Sequence, residues 1–284
     1  MKSLTIHEAL QWASSFLEEH HAEAKVAEIL LLHELRYSKI ELISNLREPI
    51  DQIILKQFQK NIQRHADTKV PVQHITGVEM FYGRTFYVNQ DVLIPRPETE
   101  ELVFHLLAKV TNDSFSCVDV GTGSGIIAVS LAKEWADKTV KMIATDLSDK
   151  ALHIAQRNAN QHQTDIEFFQ GDFLQPLINH NRKVDIIISN PPYIAYEEAA
   201  SLSETVRNFD PELALFAEDN GLAAYQQIIE QAPLVLNKNG ILAFEIGHTQ
   251  GKAVTNLIKY HFPNSKVEVI PDINQKNRIV FATT

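Results

Sequence analysis

Val118-Asp119-Val120-Gly121-Thr122-Gly123-Ser124-Gly125-Ile126 is the stretch that decides the fold. A β-branched run gives way here to three glycines spaced two apart, and a helical pattern follows. Glycines at a strand-to-helix turn let the backbone approach a ligand closely and present free amide groups. The dinucleotide fingerprint G-x-G-x-x-G is not met, because its last glycine would fall on Ile126. A tight turn that binds nothing is the alternative for this segment taken alone.

Strand and helix patterns alternate after residue 110. The predicted strands are Ser116–Val120, Val140–Asp146, Asp165–Gln170, Val184–Ser189, Gly240–Ile246, Lys266–Ile270 and Arg278–Ala282. The helical patterns that separate most of them are Gly125–Trp135, Asp149–Gln161 and Leu222–Leu236. Such alternation predicts an α/β fold, in which a mostly parallel sheet carries helices on both faces. Only a loop separates the last two strands, which predicts an antiparallel strand at the edge of the sheet.

Three parts are predicted along the chain. Residues 1–70 carry helical patterns and no glycine, which predicts a small helical domain. Residues 71–96 are rich in aromatic and β-branched residues broken by glycine and proline, and they predict a linking β-hairpin that turns near Gly83-Arg84. Residues 97–284 carry the α/β pattern. Within them, residues 194–220 show no strong periodicity and are expected to form a long, mobile insertion over the active face.

Composition limits the classes of function. The 284 residues include 26 Lys and Arg against 36 Asp and Glu, a net charge of −10. This charge argues against a protein that holds nucleic acid through a broad basic surface. The single cysteine, Cys117, excludes an intramolecular disulfide and a cysteine-built zinc site, and the histidines show no ligand spacing. No apolar run reaches the roughly 18 residues of a membrane span. We therefore expect a cytoplasmic protein with no metal, no membrane partner and no direct nucleic-acid partner.

Acidic residues follow the next two predicted strands. Asp146 lies about 20 positions after the glycine turn, where a carboxylate can accept hydrogen bonds from both ribose hydroxyls of a nucleoside cofactor. Helix capping is the alternative, but Ser148 can serve as the cap and leave Asp146 free. After the third strand, Asp172 and Phe173 could hold the edge and face of an adenine, although Gly-Asp is also an ordinary turn. All these positions face the crevice where open α/β sheets bind ligands.

Asn190-Pro191-Pro192-Tyr193 follows the fourth predicted strand and indicates the reaction. The nitrogen lone pair of a carboxamide is delocalised, so an enzyme that methylates it must orient the nitrogen and accept both its hydrogens. The side-chain oxygen of Asn190 and the backbone carbonyl of Pro191 can be those acceptors. Pro191 and Pro192 stiffen the loop, and Tyr193 can stack on the flat amide. Pro-Pro alone is a common turn, whereas the whole tetrapeptide after such a strand predicts N-methylation of an amide or amino group.

The glycine turn and the acids that follow the strands together resemble the Rossmann-like methyltransferases that use S-adenosylmethionine. The resemblance implies that the methionine part of the cofactor is held by Asp119, Gly121, Thr122, Gly123, Ser124 and Gly125. It also implies that Asp146 takes the ribose, that Asp172 with Phe173 takes the adenine, and that Asn190 borders the cofactor. The expected product is S-adenosylhomocysteine.

Further motifs extend the likeness to nearly the whole chain. They are Phe81-Tyr82-Gly83, Leu93–Glu100, Asp119–Gly125, Asn190–Tyr193, Pro211–Leu215, Asp219–Leu222 and Glu245-Ile246-Gly247. This pattern resembles the HemK/PrmC protein-glutamine methyltransferases. The resemblance implies methylation of the side-chain nitrogen of the glutamine in the Gly-Gly-Gln loop of class I peptide chain release factors, with effects on translation termination. The helical domain would dock that protein substrate.

The same resemblance assigns roles to individual residues. Asn190, Pro191 and Tyr193 would hold the glutamine amide, with Pro192 beside them in the substrate site. Arg96 and Thr99 would help to close the cofactor site. Asp210 departs from the family pattern, which more often has glutamate before the following proline.

Three rival functions share part of this pattern. Enzymes that methylate the exocyclic amino group of adenine also carry Asn-Pro-Pro-Tyr, but the charge of −10 and the lack of a basic, aromatic-interleaved segment argue against them. A non-catalytic binding module would not need intact glycines, acids and tetrapeptide. A nicotinamide-dependent oxidoreductase is disfavoured by Ile126 and by the absence of a suitably placed proton donor.

Overall fold

The computed structural model describes residues 4–284. Its helices are α1 (Ile6–Glu19), α2 (Lys25–Leu35), α3 (Lys39–Ser44), α4 (Gln52–Thr68), α5 (Val72–Thr76), α6 (Pro97–Lys109), α7 (Ile126–Glu134), α8 (Asp149–Gln161), α9 (Gln175–Asn179), α10 (Glu204–Phe209), α11 (Glu212–Leu215), α12 (Glu218–Gly221), α13 (Ala223–Val235) and α14 (Gly251–His261), with a 3₁₀ turn at Tyr196–Ser201. Its strands are β1 (Val78–Phe81), β2 (Arg84–Tyr87), β3 (Ser114–Val120), β4 (Thr139–Asp146), β5 (Ile166–Gln170), β6 (Val184–Ser189), β7 (Ile194–Ala195), β8 (Phe216–Ala217), β9 (Leu236–Glu245), β10 (Lys266–Pro271) and β11 (Asn277–Thr283). No helix in residues 4–284 is long and apolar enough to cross a membrane.

The chain forms two compact units, the first ending at Val78 and the second beginning at Glu79. In the first unit, α1 to α5 pack around an apolar core that includes Leu17, Leu30 and Phe58. The purely helical pattern predicted for this region is confirmed. The predicted three-part division at residues 70 and 96 stays a prediction.

A seven-stranded sheet organises the second unit in the order β10-β11-β9-β6-β3-β4-β5. The five strands from β9 to β5 are parallel, β11 runs antiparallel to β9, and β10 runs antiparallel to β11. The predicted α/β class with an antiparallel edge is confirmed, and the reversed strand is β11, one place in from the edge. The chain moves from β3 through β4 to β5 and then crosses to β6 on the other side of β3. This reversal leaves a crevice at the carboxyl ends of β3 and β6.

Apolar side chains cover both faces of the sheet. On one face α6 and α7 pack on the strands through residues such as Leu106 and Val129, and the hairpin aromatics Phe81 and Phe86 join the same cluster. On the other face α13 and α14 pack through residues such as Ile228. Because both faces are buried, the parallel strands and the loops at their carboxyl ends are held on a well-packed support.

The β1–β2 hairpin turns at Tyr82-Gly83, one residue earlier than predicted. Both residues have positive φ, 49° for Tyr82 and 71° for Gly83. Two-residue hairpin loops favour this conformation because its twist matches that of the strands.

Residues 194–220 fold into short elements, which does not fit the expected long, mobile insertion. β7 and β8 pair in parallel, and the 3₁₀ turn, α10 and α11 lie between them in the chain. Asp210 is buried after α10 and accepts a hydrogen bond from the Arg96 guanidinium at 2.6 Å. Elements this short leave no periodic pattern, which is why the sequence did not reveal them.

Asn158 of α8 joins the hairpin to the glycine-rich turn. Its side-chain oxygen accepts from the Tyr87 amide at 2.7 Å, and its amide nitrogen donates to the carbonyls of Tyr87 at 3.0 Å and Ser124 at 2.8 Å. The side chain is fully buried. The variant Asn158→Ala leaves these backbone groups without partners, so we expect it to lower the free energy of unfolding by about 2 kcal/mol.

Urea unfolding measures this loss. The matched control is Asn160→Ala, two residues on in the same helix, where the asparagine is exposed. We expect the control to stay within about 0.5 kcal/mol of the wild type. Because alanine has a higher helix propensity than asparagine, an equal loss in both variants would contradict the stabilising role of the buried hydrogen bonds.

Candidate functional site

Two adjoining cavities lie at the carboxyl ends of the parallel strands. The larger has a volume of about 370 Å³ and is lined by residues that follow β3, β4, β5 and β6, together with residues between 90 and 99. The smaller, of about 200 Å³, is lined by Tyr193, Glu245 and apolar side chains such as Ile194 and Leu215. The residues that line both cavities are Leu93, Arg96, Asn190 and Ala214. The site therefore offers two compartments that meet at Asn190.

The glycines after β3 leave space on the cavity side. Gly121, Gly123 and Gly125 all have positive φ, between 56° and 82°. A Cβ atom on Gly121 or Gly123 would meet nothing within 4 Å, whereas one on Gly125 would lie 3.1 Å from the backbone of Ala155. The first two glycines thus open the wall of the larger cavity, and the third permits close packing of α7 on α8.

The amide groups of this turn are largely used within the protein. The N–H groups of Gly121 and Thr122 both donate to the Thr145 carbonyl at 2.9 Å. The Gly123 N–H donates to Asp146 at 2.8 Å, and the Gly125 N–H donates to the Thr122 carbonyl at 2.8 Å. The expectation that the glycine turn presents free amides is therefore wrong for these four groups. Their hydrogen bonds fix the shape of the loop instead.

Asp119 lies behind the glycine turn and not on the wall of either cavity. Its Oδ2 accepts from the Thr122 hydroxyl at 2.6 Å and from the Ala128 amide at 3.2 Å, while its buried Oδ1 has no hydrogen-bond partner among residues 4–284. Burial raises the pKa of Asp119 to about 7, against the lowering effect of these donors. This geometry links Asp119 to the shape of the turn, and its predicted contact with the methionine part stays a prediction.

Asp146 ends β4 on the wall of the larger cavity. Its two oxygens accept from the Gly123 amide at 2.8 Å and from the Ser148 amide at 2.9 Å, so the carboxylate is already partly used within the protein, although it is not the helix cap, as predicted. Ser148 does cap α8 by accepting from the Ala151 amide. Burial raises the pKa of Asp146. Because a carboxylate has about four acceptor positions, two remain for a ligand.

Asp172 and Phe173 line the far side of the same cavity, after β5. Asp172 is exposed and Phe173 is half-buried. Phe173 has a φ of 45°, which is unusual for a bulky residue and carries a conformational cost. Both residues line the wall of the larger cavity, and their predicted contact with an adenine stays a prediction.

Asn190 follows β6 and is held from behind by two buried side chains. Its amide nitrogen donates to the Thr99 hydroxyl oxygen at 3.1 Å, and the Thr99 hydroxyl donates to Glu245 Oε2 at 2.7 Å. Thr99 and Glu245 are each 1% exposed. Burial raises the pKa of Glu245 to about 7. The Asn190 side chain thus has a fixed place on the wall that the two cavities share.

The rest of the tetrapeptide is divided between the two cavities. Pro192 lines the larger and Tyr193 the smaller, whereas Pro191 is buried and lines neither. The Tyr193 hydroxyl donates to Glu245 Oε1 at 3.4 Å, and its backbone carbonyl accepts from the Gln250 side chain at 2.9 Å. Burial and the nearby carboxylate raise the pKa of Tyr193, so the hydroxyl stays protonated.

The structure brings most of the predicted site residues onto one continuous wall. These are Gly121, Thr122, Gly123, Ser124, Asp146, Asp172, Phe173, Asn190, Pro192 and Tyr193. It does not bring Asp119, Gly125 or Pro191 to either cavity. Sequence reasoning gave no role to Glu245, although an acidic residue that ends the apolar strand Ile241–Phe244 is a detectable signal. Within residues 4–284, no group of three or more His, Cys, Asp or Glu side chains is placed to hold a metal ion.

Comparison with known proteins gives relatives over the whole length. The family model described as "Methyltransferase small domain" matches residues 99–209, and the one described as "PrmC N-terminal domain" matches residues 8–77. A release factor glutamine methyltransferase of Bacillus subtilis (strain 168) is 47% identical over 283 residues, which cover 98% of this chain and 97% of that one. One of Bacillus cereus is 40% identical and covers 98% and 99%.

A solved structure shares the fold. A T. thermophilus 16S rRNA methyltransferase in complex with AdoMet and guanosine matches with a TM-score of 0.52 at 15% identity. The match covers 73% of this chain and 49% of that chain. A likeness at this identity establishes the fold alone.

Proposed function

The chain belongs to the release factor glutamine methyltransferases, and from this we propose that it moves a methyl group from S-adenosylmethionine to a glutamine of class I peptide chain release factors. The acceptor would be the side-chain nitrogen of the glutamine in the Gly-Gly-Gln motif. One structural observation carries this proposal. Asn190 lines both cavities, and its side-chain amide nitrogen donates a hydrogen bond to Thr99.

The larger cavity suits S-adenosylmethionine. Gly121 and Gly123 leave open space where a side chain would otherwise stand, and Asp146 keeps two acceptor positions for the ribose hydroxyls. Asp172 and Phe173 can take the edge and face of the adenine. When bound, the cofactor supplies a methyl group made electrophilic by its positively charged sulfur.

The smaller cavity suits the glutamine side chain. Its apolar walls can hold the methylene groups, and Tyr193 can lie against the flat amide. The Asn190 oxygen would accept one amide hydrogen, and the Pro191 carbonyl stays the predicted acceptor for the other although Pro191 lines neither cavity. Acceptance of both hydrogens would point the nitrogen lone pair toward the larger cavity. No side chain has to remove a proton beforehand, because the methylated nitrogen is acidic enough to lose one afterwards.

We propose the helical unit as the docking region for the release factor. Its α3 and α4 leave Ile40, Ile43 and Ile53 exposed, at 78%, 61% and 80%. Apolar side chains exposed close together in sequence favour a protein partner over nucleic acid. The chain's net charge of −10 also disfavours nucleic acid. Since release factors act in translation, the expected location is the cytoplasm.

Reaction with methyl-labelled cofactor tests the proposal. The purified protein is incubated with a recombinant class I release factor, with the same factor carrying Ala in place of the motif glutamine, and with DNA and RNA. We expect label on the first alone, and peptide mass spectrometry should place one methyl group on the glutamine. Label on nucleic acid would favour the amino-methyltransferase rival, and label on the alanine factor would contradict the proposed acceptor.

A further inference from the structure

The side chains of Asn190, Thr99 and Glu245 form a chain of hydrogen bonds. Asn190 donates to Thr99, and Thr99 donates to Glu245. We propose that Glu245, acting through Thr99, is a positioning residue that fixes the orientation of the Asn190 side-chain amide. In that orientation the Asn190 oxygen is the atom that accepts a hydrogen bond from the substrate. This proposal rests on the proposed function, since the acceptor is needed for an amide substrate. Neither Glu245 nor Thr99 needs to touch the substrate for it to hold.

Each link in the chain determines the next. An ionised carboxylate can only accept hydrogen bonds, so the Thr99 hydroxyl must donate its hydrogen to Glu245, at 2.7 Å. The Thr99 oxygen then has only lone pairs left for Asn190, at 3.1 Å. Asn190 must therefore direct its NH₂ group toward Thr99. Its oxygen, on the other side of the same amide, is left to face away from Thr99.

The direction matters because the two ends of the asparagine amide have the same shape and opposite polarity. A substrate carboxamide brings two hydrogens that need acceptors. If Asn190 stood the other way round, its NH₂ group would meet the NH₂ group of the substrate, and two donors would face each other without a hydrogen bond. The protein therefore needs an interaction that favours one of the two amide orientations. The buried Glu245 carboxylate, acting through the Thr99 hydroxyl, provides it.

Charged and titratable groups from several elements surround Glu245. The Tyr193 hydroxyl donates to it at 3.4 Å, and the Tyr225 hydroxyl donates to its backbone carbonyl at 2.7 Å. Arg278 of β11 favours its ionised form, and Glu98 of α6 disfavours it. Burial outweighs the favourable contacts and brings the pKa of Glu245 to about 7.

Protonation of Glu245 leaves the orientation of the Asn190 amide undetermined. A neutral carboxyl group can donate to Thr99, which frees the Thr99 hydroxyl to donate to the Asn190 oxygen. Because the folded pKa is raised, the ionised form that fixes the direction is present above about pH 7 and is lost as the pH falls through it. We therefore expect kcat to rise with pH across this range.

Matched variants distinguish an effect on the orientation of the Asn190 amide from an effect on side-chain packing. Thr99→Val keeps the shape and removes the hydroxyl, so we expect kcat to fall about tenfold. Thr99→Ser keeps the hydroxyl, so its kcat should lie close to that of the wild type. Glu245→Gln is neutral at every pH, so it should show a low kcat that does not rise with pH. A merely structural role for these side chains would not remove the pH dependence.

A second readout needs no substrate. The Asn190 side-chain amide gives a ¹H–¹⁵N NMR signal that is identified by its loss in Asn190→Ala. We expect this signal to shift with a midpoint near pH 7 in the wild type and to stay in place in Glu245→Gln. A wild-type signal that does not move, or a Thr99→Val kcat equal to that of the wild type, would overturn the positioning role. A wild type that shows the NMR shift but methylates no release factor would overturn the proposed function alone.

Discussion

Replacement of Asn190 by alanine should reduce kcat for release factor methylation about a thousandfold, because it removes one of the two acceptors proposed to orient the glutamine amide. The Thr99 hydroxyl also loses its donor, at 3.1 Å. Asn190 is only one of many residues that line the larger cavity, so the cofactor Kd should change by less than about threefold. Single-turnover kinetics with saturating release factor measure the first quantity, and isothermal titration calorimetry measures the second.

The exposed Asn160 of α8 supplies the control for this experiment. We expect Asn160→Ala to match the wild type in both measurements, since its side chain lies outside both cavities. A thousandfold loss accompanied by an equal loss of cofactor affinity would place Asn190 in cofactor binding. Near-normal turnover by Asn190→Ala would contradict the amide-holding mechanism as a whole.

Replacement of Asp146 by alanine should raise the cofactor Kd about a hundredfold. The two charge-assisted hydrogen bonds proposed to the ribose would be lost, and each contributes about 1.5 kcal/mol or more net of exchange with water. The Gly123 and Ser148 amides also lose their acceptor, so the glycine turn becomes less well defined. Calorimetric titration with S-adenosylmethionine measures the change.

A neighbouring carboxylate tests whether charge alone explains the loss. Asp149 begins α8 only three residues later, and its side chain is 65% exposed. Asp149→Ala removes the same charge three residues along the chain, and we expect its Kd to stay within about twofold of the wild type because exposed charges are well screened. Equal losses in the two variants would contradict a direct ribose contact by Asp146.

The sequence predicts the central sheet well because the strands of that sheet are buried on both faces. Strands buried on both faces are continuous apolar runs, and turns interrupt them clearly, so β6 and α8 have the bounds that were predicted. The start of β9 lies four residues before the predicted one, since Leu236-Asn237-Lys238-Asn239 carries too many polar residues to suggest a strand. Of these residues only Leu236 lies opposite a β6 residue, Val184, and the Asn237 side chain donates to Asp185 at 2.7 Å.

The candidate site is predicted less completely, because its hydrogen bonds join distant parts of the chain. Asp146 and Asn190 could be found because they end strands of a recognisable pattern. The role of Glu245 could not, since its partner Thr99 lies 146 positions away and meets it only when α6 packs over β9. The amides of Gly121, Thr122 and Gly123 were misjudged for a similar reason, because their acceptors, Thr145 and Asp146, belong to the next strand.

The wall that the two cavities share has a consequence for inhibitor chemistry. Leu93, Arg96, Asn190 and Ala214 border both compartments, so a nucleoside in one and a carboxamide in the other would lie side by side. A single molecule that links an adenosine group to a glutamine-like side chain can therefore be bivalent. Once one half is bound, the other is confined to its own site at a high effective concentration, and the affinity can exceed that of either half by orders of magnitude. Selectivity against other methyltransferases would come from the carboxamide half, because the nucleoside half fits a compartment built on a widely used fold.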